Sequence, residues 1–202
     1  MNRVQRKRDE RVRRIVAVAA EVFGERGYEA TSLEEVAERL DVTKGSLYYY
    51  FAGKDELATA AIETLGTDWT ERLEALARTL ADVPRPERLR ALLREHIAIA
   101  VHEYPAALRL FLVPDSWPTA LRDRIRELRR RHDLVFRREI TAGVAAGDFA
   151  VVSVDATLQA MHATMSQAPL WCSHLAAEAQ ERAIDDLAAV LCKLAGEQKG
   201  SL

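Results

Sequence analysis

The residues from position 43 to position 49 combine side chains that suit contact with nucleic acid. They are small, cationic, hydroxyl-bearing or aromatic, and none is acidic: Thr43, Lys44, Gly45, Ser46, Tyr48 and Tyr49. A lysine can donate hydrogen bonds to guanine O6 and N7 in a major groove, and hydroxyl groups can contact phosphates. Gly45 has no side chain and would let the backbone approach a duplex closely. The stretch therefore predicts a surface that reads DNA.

Two short helices are expected to position these side chains. Ser32 and Glu35 have the spacing of a capping box and predict the start of one helix. Thr43 is a plausible N-cap of the next, after a tight turn at Asp41 and Val42. This arrangement is a helix-turn-helix whose second helix has the dimensions of a major groove. Apolar residues would pack the pair onto the preceding helix: Val36, Ala37, Leu40, Val42, Leu47, Tyr50 and Phe51.

Residues 13–57 strongly resemble the DNA-binding region of the TetR (tetracycline-repressor-like) family of bacterial regulators. The resemblance is carried by Phe23 to Tyr28, by Thr31, and by the runs 35–40, 42–51 and 54–57. It implies that residues 43–49 form the recognition helix, with Lys44 and Ser46 as candidates for base-edge contact. It also implies that phosphates are contacted by Thr31, Tyr48, Tyr49 and Lys54.

Asp41 departs from the family pattern, which commonly has glycine at this turn. Aspartate is one of the few non-glycine residues that visit the left-handed conformation. We therefore expect the turn to survive at modest cost.

The remaining chain has helical periodicity as well. The first helix should stop at Gly27, and further helices are expected at about 54–81, 86–103, 105–113, 118–146, 155–171 and 178–195. The predicted fold class is all-α, with an N-terminal three-helix helix-turn-helix DNA-binding domain and a C-terminal helical ligand-binding and dimerisation domain. The predicted boundary divides the chain into residues 1–52 and residues 53–202.

Charge is unevenly distributed along the chain. The 202 residues include 29 Lys+Arg and 31 Asp+Glu, and the formal net charge of −2 by itself argues against a nucleic-acid binder. Residues 1–14, however, hold seven basic side chains against two acidic ones, and residues 15–40 hold two against six. The basic segment is either an arm that contacts phosphates or a minor groove, or a solvated, disordered tail.

Other features limit the class of protein. The two cysteines, Cys172 and Cys192, show no metal-ligand spacing, and the first ten residues lack the apolar core of a signal peptide. A cytoplasmic location is therefore expected. We find no nucleophile–base pair, carboxylate dyad or metal-ligand cluster. The sequence thus predicts a protein that is not an enzyme and that has no cofactor and no metal site.

The candidate effector site lies in the C-terminal part. The stretch from Ala156 to Ala177 carries no Asp, Glu, Lys or Arg and contains Met161 and Met165, whose flexible thioethers suit either an adaptable ligand wall or a gap in the core. Further candidates are histidine and aromatic residues that could equally be core: His96, Phe111, Trp117 and Trp171.

Residues 122–138 contain eight arginines and three acidic residues. Some of these arginines could hold an anionic effector, such as the phosphates of an acyl-CoA. The alternative is a solvated helix face with ion pairs such as Asp123 with Arg126 and Arg129 with Asp133.

Together these features predict a homodimeric, ligand-responsive transcriptional repressor. Its palindromic operator would be released when a small hydrophobic or acyl-CoA-like effector binds. The last helix, with Ile184, Leu187, Ala188, Leu191 and Leu194 at heptad-like spacing, could pair with the helix at 155–171 in a four-helix dimer interface. Two alternatives remain: a helical small-molecule enzyme with a vestigial DNA-binding head, and a DNA-binding protein without an effector.

Overall fold

The computed structural model describes residues 3–105, 109–112 and 117–196, and the regular structure within these ranges is helical. The helices are α1 (Arg3–Ala30), α2 (Leu33–Arg39), α3 (Lys44–Tyr48), α4 (Lys54–Thr79), α5 (Arg85–Ala98), α6 (Arg109–Leu112), α7 (Thr119–Ala146), α8 (Val154–Cys172) and α9 (Ala177–Lys193). A π-helical turn, Ile99–Glu103, follows α5 directly. The all-α prediction is confirmed. No helix of the described chain is long and apolar enough to cross a bilayer.

The chain divides into two compact units. The first contains the described parts of residues 1–67 and 106–128, and the second those of residues 68–105 and 129–202. The first unit therefore holds α1, α2, α3, α6 and the N-terminal parts of α4 and α7. The functional boundary at residue 52 stays a prediction.

Gly27 interrupts the helical course of α1. Its φ of 80° and ψ of 170° lie outside the helical region, although the helical segment continues to Ala30. This backbone conformation is essentially restricted to glycine. The predicted interruption at Gly27 is thus confirmed, but the helical segment ends three residues later, at Ala30.

The basic N-terminal segment is part of α1 from Arg3 onward. This differs from the disordered tail among the two sequence interpretations, and DNA contact by the basic side chains stays a prediction. The physical reason is local. The segment has no glycine or proline, and its side chains pair at helical spacing: Gln5 donates to Asp9 at 2.9 Å, and Arg6 lies 4.0 Å from Glu10.

The apolar stripe of α9 is buried inside its own unit. Ile184, Ala188 and Leu191 are all buried, and α9 packs on α5. Leu194, by contrast, is exposed. Most of the stripe therefore packs within its own unit, because the same spacing suits packing on another helix of the same chain, and the four-helix dimer interface of this helix with α8 stays a prediction.

Candidate functional site

Local hydrogen bonds start α2 and build the turn that joins α2 to α3. The Ser32 hydroxyl accepts a hydrogen bond from the backbone N–H of Glu35 at 3.2 Å, which starts α2. After α2, Asp41 has a φ of 53°, and the N–H of Val42 donates to the carbonyl of Ala37 at 3.0 Å. The left-handed aspartate that the sequence predicted is confirmed.

Helix α3 presents its polar face to solvent. Thr43 is its N-cap, with a hydroxyl that accepts from the N–H of Ser46 at 3.3 Å, and Leu47 is fully buried. Tyr48 and Tyr49 are 47% and 72% exposed. A Cβ at position 45 would meet nothing closer than 3.9 Å, so Gly45 is on an open side. The candidates Thr43, Lys44, Gly45, Ser46, Tyr48 and Tyr49 are thus together on or beside one short helix.

Lys44 is paired with an acidic residue of α2. Its Nζ donates to a carboxylate oxygen of Glu34, and it lies 5.5 Å from the ring centroid of Tyr48. The hydrogen bond raises the pKa of Lys44 and lowers that of Glu34. Both groups are exposed, so solvent and salt weaken the pair. Lys44 can therefore exchange this carboxylate for a base edge or a phosphate.

The basic N-terminal part of α1 lies beside the exposed end of α3. The guanidinium of Arg8 is 6.0 Å from the ring centroid of Tyr49. The seven basic side chains among residues 1–14 are therefore on the helix that flanks the candidate DNA-reading surface. The local charge there is opposite in sign to the net charge of the chain, and the local field matters for DNA.

Thr31 and Lys54 have partners within the first unit. Thr31 is 3% exposed, and its hydroxyl donates to the carbonyl of Gly27 at 2.7 Å. The Nζ of Lys54 donates to the carbonyls of Tyr28 and Glu29 at 3.0 and 3.3 Å, which satisfies the end of α1. The structure thus gives both residues local roles, and their phosphate contacts stay predictions.

Trp117, a candidate effector residue, is buried in the first unit against α1. Its ring centroid is 5.6 Å from that of Phe23 and 5.4 Å from that of Tyr28. The Tyr28 hydroxyl donates to the carboxylate of Asp55. Burial, together with this hydrogen bond, raises the pKa of Tyr28 to about 12. Trp117 therefore packs on α1, the helix that α2 contacts.

The other effector candidates do not form one group. His96, Met161 and Met165 are buried in the second unit, whereas Trp171 is 55% exposed. Phe111 is half-buried in α6 of the first unit. These residues are thus divided between the two units, and one of those in the second unit, Trp171, is exposed to solvent.

His96 belongs to a ring cluster that the sequence did not indicate. Ring centroids are 4.9 Å apart for His96 and Trp69, 4.9 Å for His96 and His132, and 5.8 Å for His132 and His162. Phe136 contacts all three histidines. The four-residue spacing of His132 and Phe136 on α7 was the one available signal.

Burial lowers the pKa of every histidine in this cluster. The pKa of His132 falls to about 3, from burial first and the nearby His162 second, and that of His96 lies well below its ordinary value. Burial also lowers the pKa of His162, while Asp133, with Oδ1 at 3.2 Å from Nε2, opposes it. The three imidazoles are therefore uncharged near neutral pH. No group of His, Cys, Asp and Glu side chains in the described chain could hold a metal ion.

Several arginines of α7 form ion pairs. Arg126 contacts Asp123 at 2.9 Å, as the sequence predicted, and Arg124 contacts Glu63 at 2.9 Å. Asp133 pairs with Arg137 at 2.9 Å. These contacts favour the ion-pair interpretation of this arginine-rich run over an anion site.

Two sequence models of one protein family match the chain. The model described as "Bacterial regulatory proteins, tetR family" matches residues 15–61, and that described as "Tetracyclin repressor-like, C-terminal domain" matches residues 82–193. The second match alone covers more than half of the chain.

Individual proteins agree with these matches. The HTH-type transcriptional activator FasR of Mycolicibacterium smegmatis is 33% identical over 96 residues, which are 48% of this chain and 43% of FasR. The chain thus matches less than half of that relative's length.

Solved structures share the fold. A tetR-family regulatory protein from Rhodococcus RHA1 has a TM-score of 0.72 at 23% identity, covering 93% of this chain and 98% of the other. AibR, in complex with isovaleryl coenzyme A and operator DNA, has a TM-score of 0.70 at 22% identity, covering 89% of this chain and 97% of AibR. At these identities the likeness concerns the fold alone.

Proposed function

We propose that this chain, which belongs to the TetR family of bacterial regulatory proteins, is a repressor that leaves its operator when a small effector binds. It is a transcriptional regulator with a helix-turn-helix DNA-binding domain. The observation that carries the proposal is the exposed face of α3, which holds Lys44 and Tyr48, with Tyr49 beside it, and which has no acidic side chain of its own.

We propose that α3 enters a major groove and that Lys44 reads guanine. One well-placed contact of this kind discriminates against a wrong base by about 1–3 kcal/mol. Tyr48, Tyr49 and the basic side chains of α1 would contact phosphates, which position the protein without specifying sequence. Arg8 near Tyr49 supports this division of roles.

Exposed apolar residues on α8 and α9 support a homodimer. Four of them are at least 43% exposed: Leu170 and Trp171 near the end of α8, Val190 in α9 and Leu194 just after α9. Ala156, Ala160 and Ala163 on α8 are also exposed and would permit close helix approach. In a two-fold dimer, the recognition helices would read palindromic half-sites about 34 Å apart.

The effector is proposed to bind the second unit and to be small and hydrophobic or acyl-CoA-like. The buried residues Met161, Met165 and His96 are in this unit. AibR, which shares the fold, has been solved with isovaleryl coenzyme A and operator DNA. An effector shifts occupancy only if it prefers the conformation that does not bind DNA. The protein would act in the cytoplasm and without catalysis.

The experiment begins with selection of DNA fragments bound by the full-length protein. Fluorescence anisotropy on the selected operator then measures release by acyl-CoAs and by small hydrophobic compounds. We expect a palindromic operator and at least one compound class that weakens binding. If none of the compounds weakens operator binding, the protein would be an effector-independent DNA binder. If the protein turns a compound over, it would be an enzyme. A reporter gene behind the operator separates repression from activation.

A further inference from the structure

One ring cluster of the second unit contains three buried nitrogen atoms without hydrogen-bond partners. They are Nε1 of Trp69, Nδ1 of His96 and Nε2 of His132. Within the described part of the chain, Nε of Arg122 is the remaining buried side-chain atom of this kind. Native proteins leave few buried polar groups unpaired, and each one calls for an explanation. Three such atoms in one cluster could all be near one bound polar group.

The three rings are close enough to share one ligand group. Their centroids form a triangle with sides of 4.9 Å for Trp69–His96, 4.9 Å for His96–His132 and 6.1 Å for Trp69–His132. An indole N–H can only donate, whereas an uncharged imidazole donates from one nitrogen and accepts at the other. A ligand must therefore offer an acceptor to Trp69, and a carbonyl oxygen has lone pairs for Trp69 and for one imidazole N–H.

We propose that Trp69, His96 and His132 bind the uncharged carbonyl group of the effector, such as that of a ketone, an amide or a thioester. This inference rests on the proposed function, because it assigns a chemical class to the effector of that regulator. His96 was a sequence candidate, whereas Trp69 and His132 are assigned from the structure.

The surroundings favour an uncharged group over a carboxylate or a phosphate. Phe136 closes one side of the cluster, at 5.9 Å from His96 and 5.6 Å from His132 between ring centroids. The neighbouring acid, Asp133, is already engaged by Arg137 and His162. The imidazoles themselves are uncharged near neutral pH, so an anion buried beside them would gain no countercharge from these rings, which is unfavourable.

The π-helical turn after α5 is a second, independent observation. It spans Ile99–Glu103, directly between His96 and Tyr104, and Tyr104 lies 6.5 Å from Trp69 between ring centroids. His96 before the turn and Tyr104 after it thus both lie next to Trp69. Such turns occur frequently at functional sites. Tyr104 is half-buried, so the cluster approaches solvent at this edge.

The test uses the indole N–H signal of Trp69 in the full-length protein, without DNA. A ¹H–¹⁵N correlation spectrum resolves the indole signals, and the signal that is missing in Trp69→Phe belongs to Trp69. The probes are cyclohexanone, methylenecyclohexane of the same shape without oxygen, cyclohexanecarboxylate, and Zn²⁺. We expect a saturable downfield shift with cyclohexanone and a much smaller change with the hydrocarbon.

Variants separate recognition from structure. Of the two variants His96→Leu and His132→Leu, the one that removes the donating imidazole should weaken cyclohexanone binding about tenfold, as expected for one lost hydrogen bond in a buried site, and the other should change it less. They should also leave the melting temperature unchanged or raise it, because they remove an unpaired polar atom. His174→Leu, at an exposed histidine, is the matched control and should change neither quantity. A lowered melting temperature with unchanged probe binding would show a purely structural role.

The remaining outcomes overturn the inference. No shift with any probe, an equal shift with the hydrocarbon, or tighter binding of the carboxylate would contradict an uncharged carbonyl. A shift with equimolar Zn²⁺ would make the cluster a metal site. Release of operator by a compound that leaves the Trp69 signal unmoved would refute this inference and support the proposed function. If the Trp69 signal responds as expected but no compound releases DNA, this inference would be supported and the proposed function refuted.

Discussion

The ammonium group of Lys44 donates to the carboxylate of Glu34, across the turn that joins α2 and α3. Glu34 thus lies beside the side chain that we assign to base recognition. Glu34 pairs with Lys44 and adds a negative charge beside the surface that we propose contacts DNA. The pair therefore connects the geometry of the helix-turn-helix to the strength of DNA binding.

Glu34→Gln should strengthen DNA binding. The substitution frees Lys44 and removes a negative charge near the phosphates, so we expect several-fold tighter binding at moderate salt. Anisotropy titrations at several salt concentrations measure the effect. Glu178→Gln, an exposed acid in the first turn of α9, is the matched control. Unchanged or weaker binding by Glu34→Gln alone would count against the role of Lys44.

Gly27→Ala should destabilise the protein through its backbone. Position 27 has a φ of 80° and a ψ of 170°, and a Cβ there would meet no atom within 4 Å. The cost is therefore conformational, at about 1–3 kcal/mol of unfolding free energy. Gly53→Ala is the control, because its Cβ also meets nothing within 4 Å and its φ is not positive. Equal stability of the two variants in urea would refute this explanation.

Acid should destabilise the second unit through its buried histidines. The pKa of His132 is about 3 in the folded protein, whereas an unfolded histidine titrates near 6.5. The unfolded chain thus binds more protons, so stability is complete above about pH 6.5 and falls as the pH drops toward about 3, by about 1.4 kcal/mol per pH unit for each such histidine. Urea unfolding at pH 8 to 4 measures this slope. His132→Leu should reduce it, and the slope should be the same in His174→Leu as in the wild type.

Trp171→Glu should dissociate the homodimer that we propose. A charge at this exposed apolar position of α8 would be buried without a partner on association. Sedimentation should show a monomer, and operator binding should weaken because two half-sites are no longer held together. Val152→Glu, in the exposed connector before α8, should remain a dimer. A dimeric Trp171→Glu variant would place the interface elsewhere.

Local signals in the sequence predicted the helix-turn-helix well. The caps at Ser32 and Thr43 and the left-handed Asp41 depend on residues a few positions apart, so the sequence contains what determines them. The pairing of Lys54 with the end of α1 joins residues 25 or more positions apart, and periodicity does not reveal it.

Long-range packing limited the predictions for the second unit. The histidine cluster joins α5, α7 and α8, and each histidine by itself resembles an ordinary core residue. The apolar stripe of α9 indicated a partner helix but not whether that helix belongs to the same chain. The sequence therefore showed which faces are apolar, and only the structure showed what covers them.

The most direct test of the central claim is the effect of Lys44→Ala on the operator and on a scrambled duplex, measured in parallel at one salt concentration. If Lys44 on α3 reads a base, operator affinity should fall by about 1–3 kcal/mol, with a much smaller change on the scrambled duplex. Lys193→Ala, an equal change of charge at the end of α9, should bind both duplexes as the wild type does. Full operator affinity and selectivity in Lys44→Ala would contradict the assignment of α3 as the recognition helix.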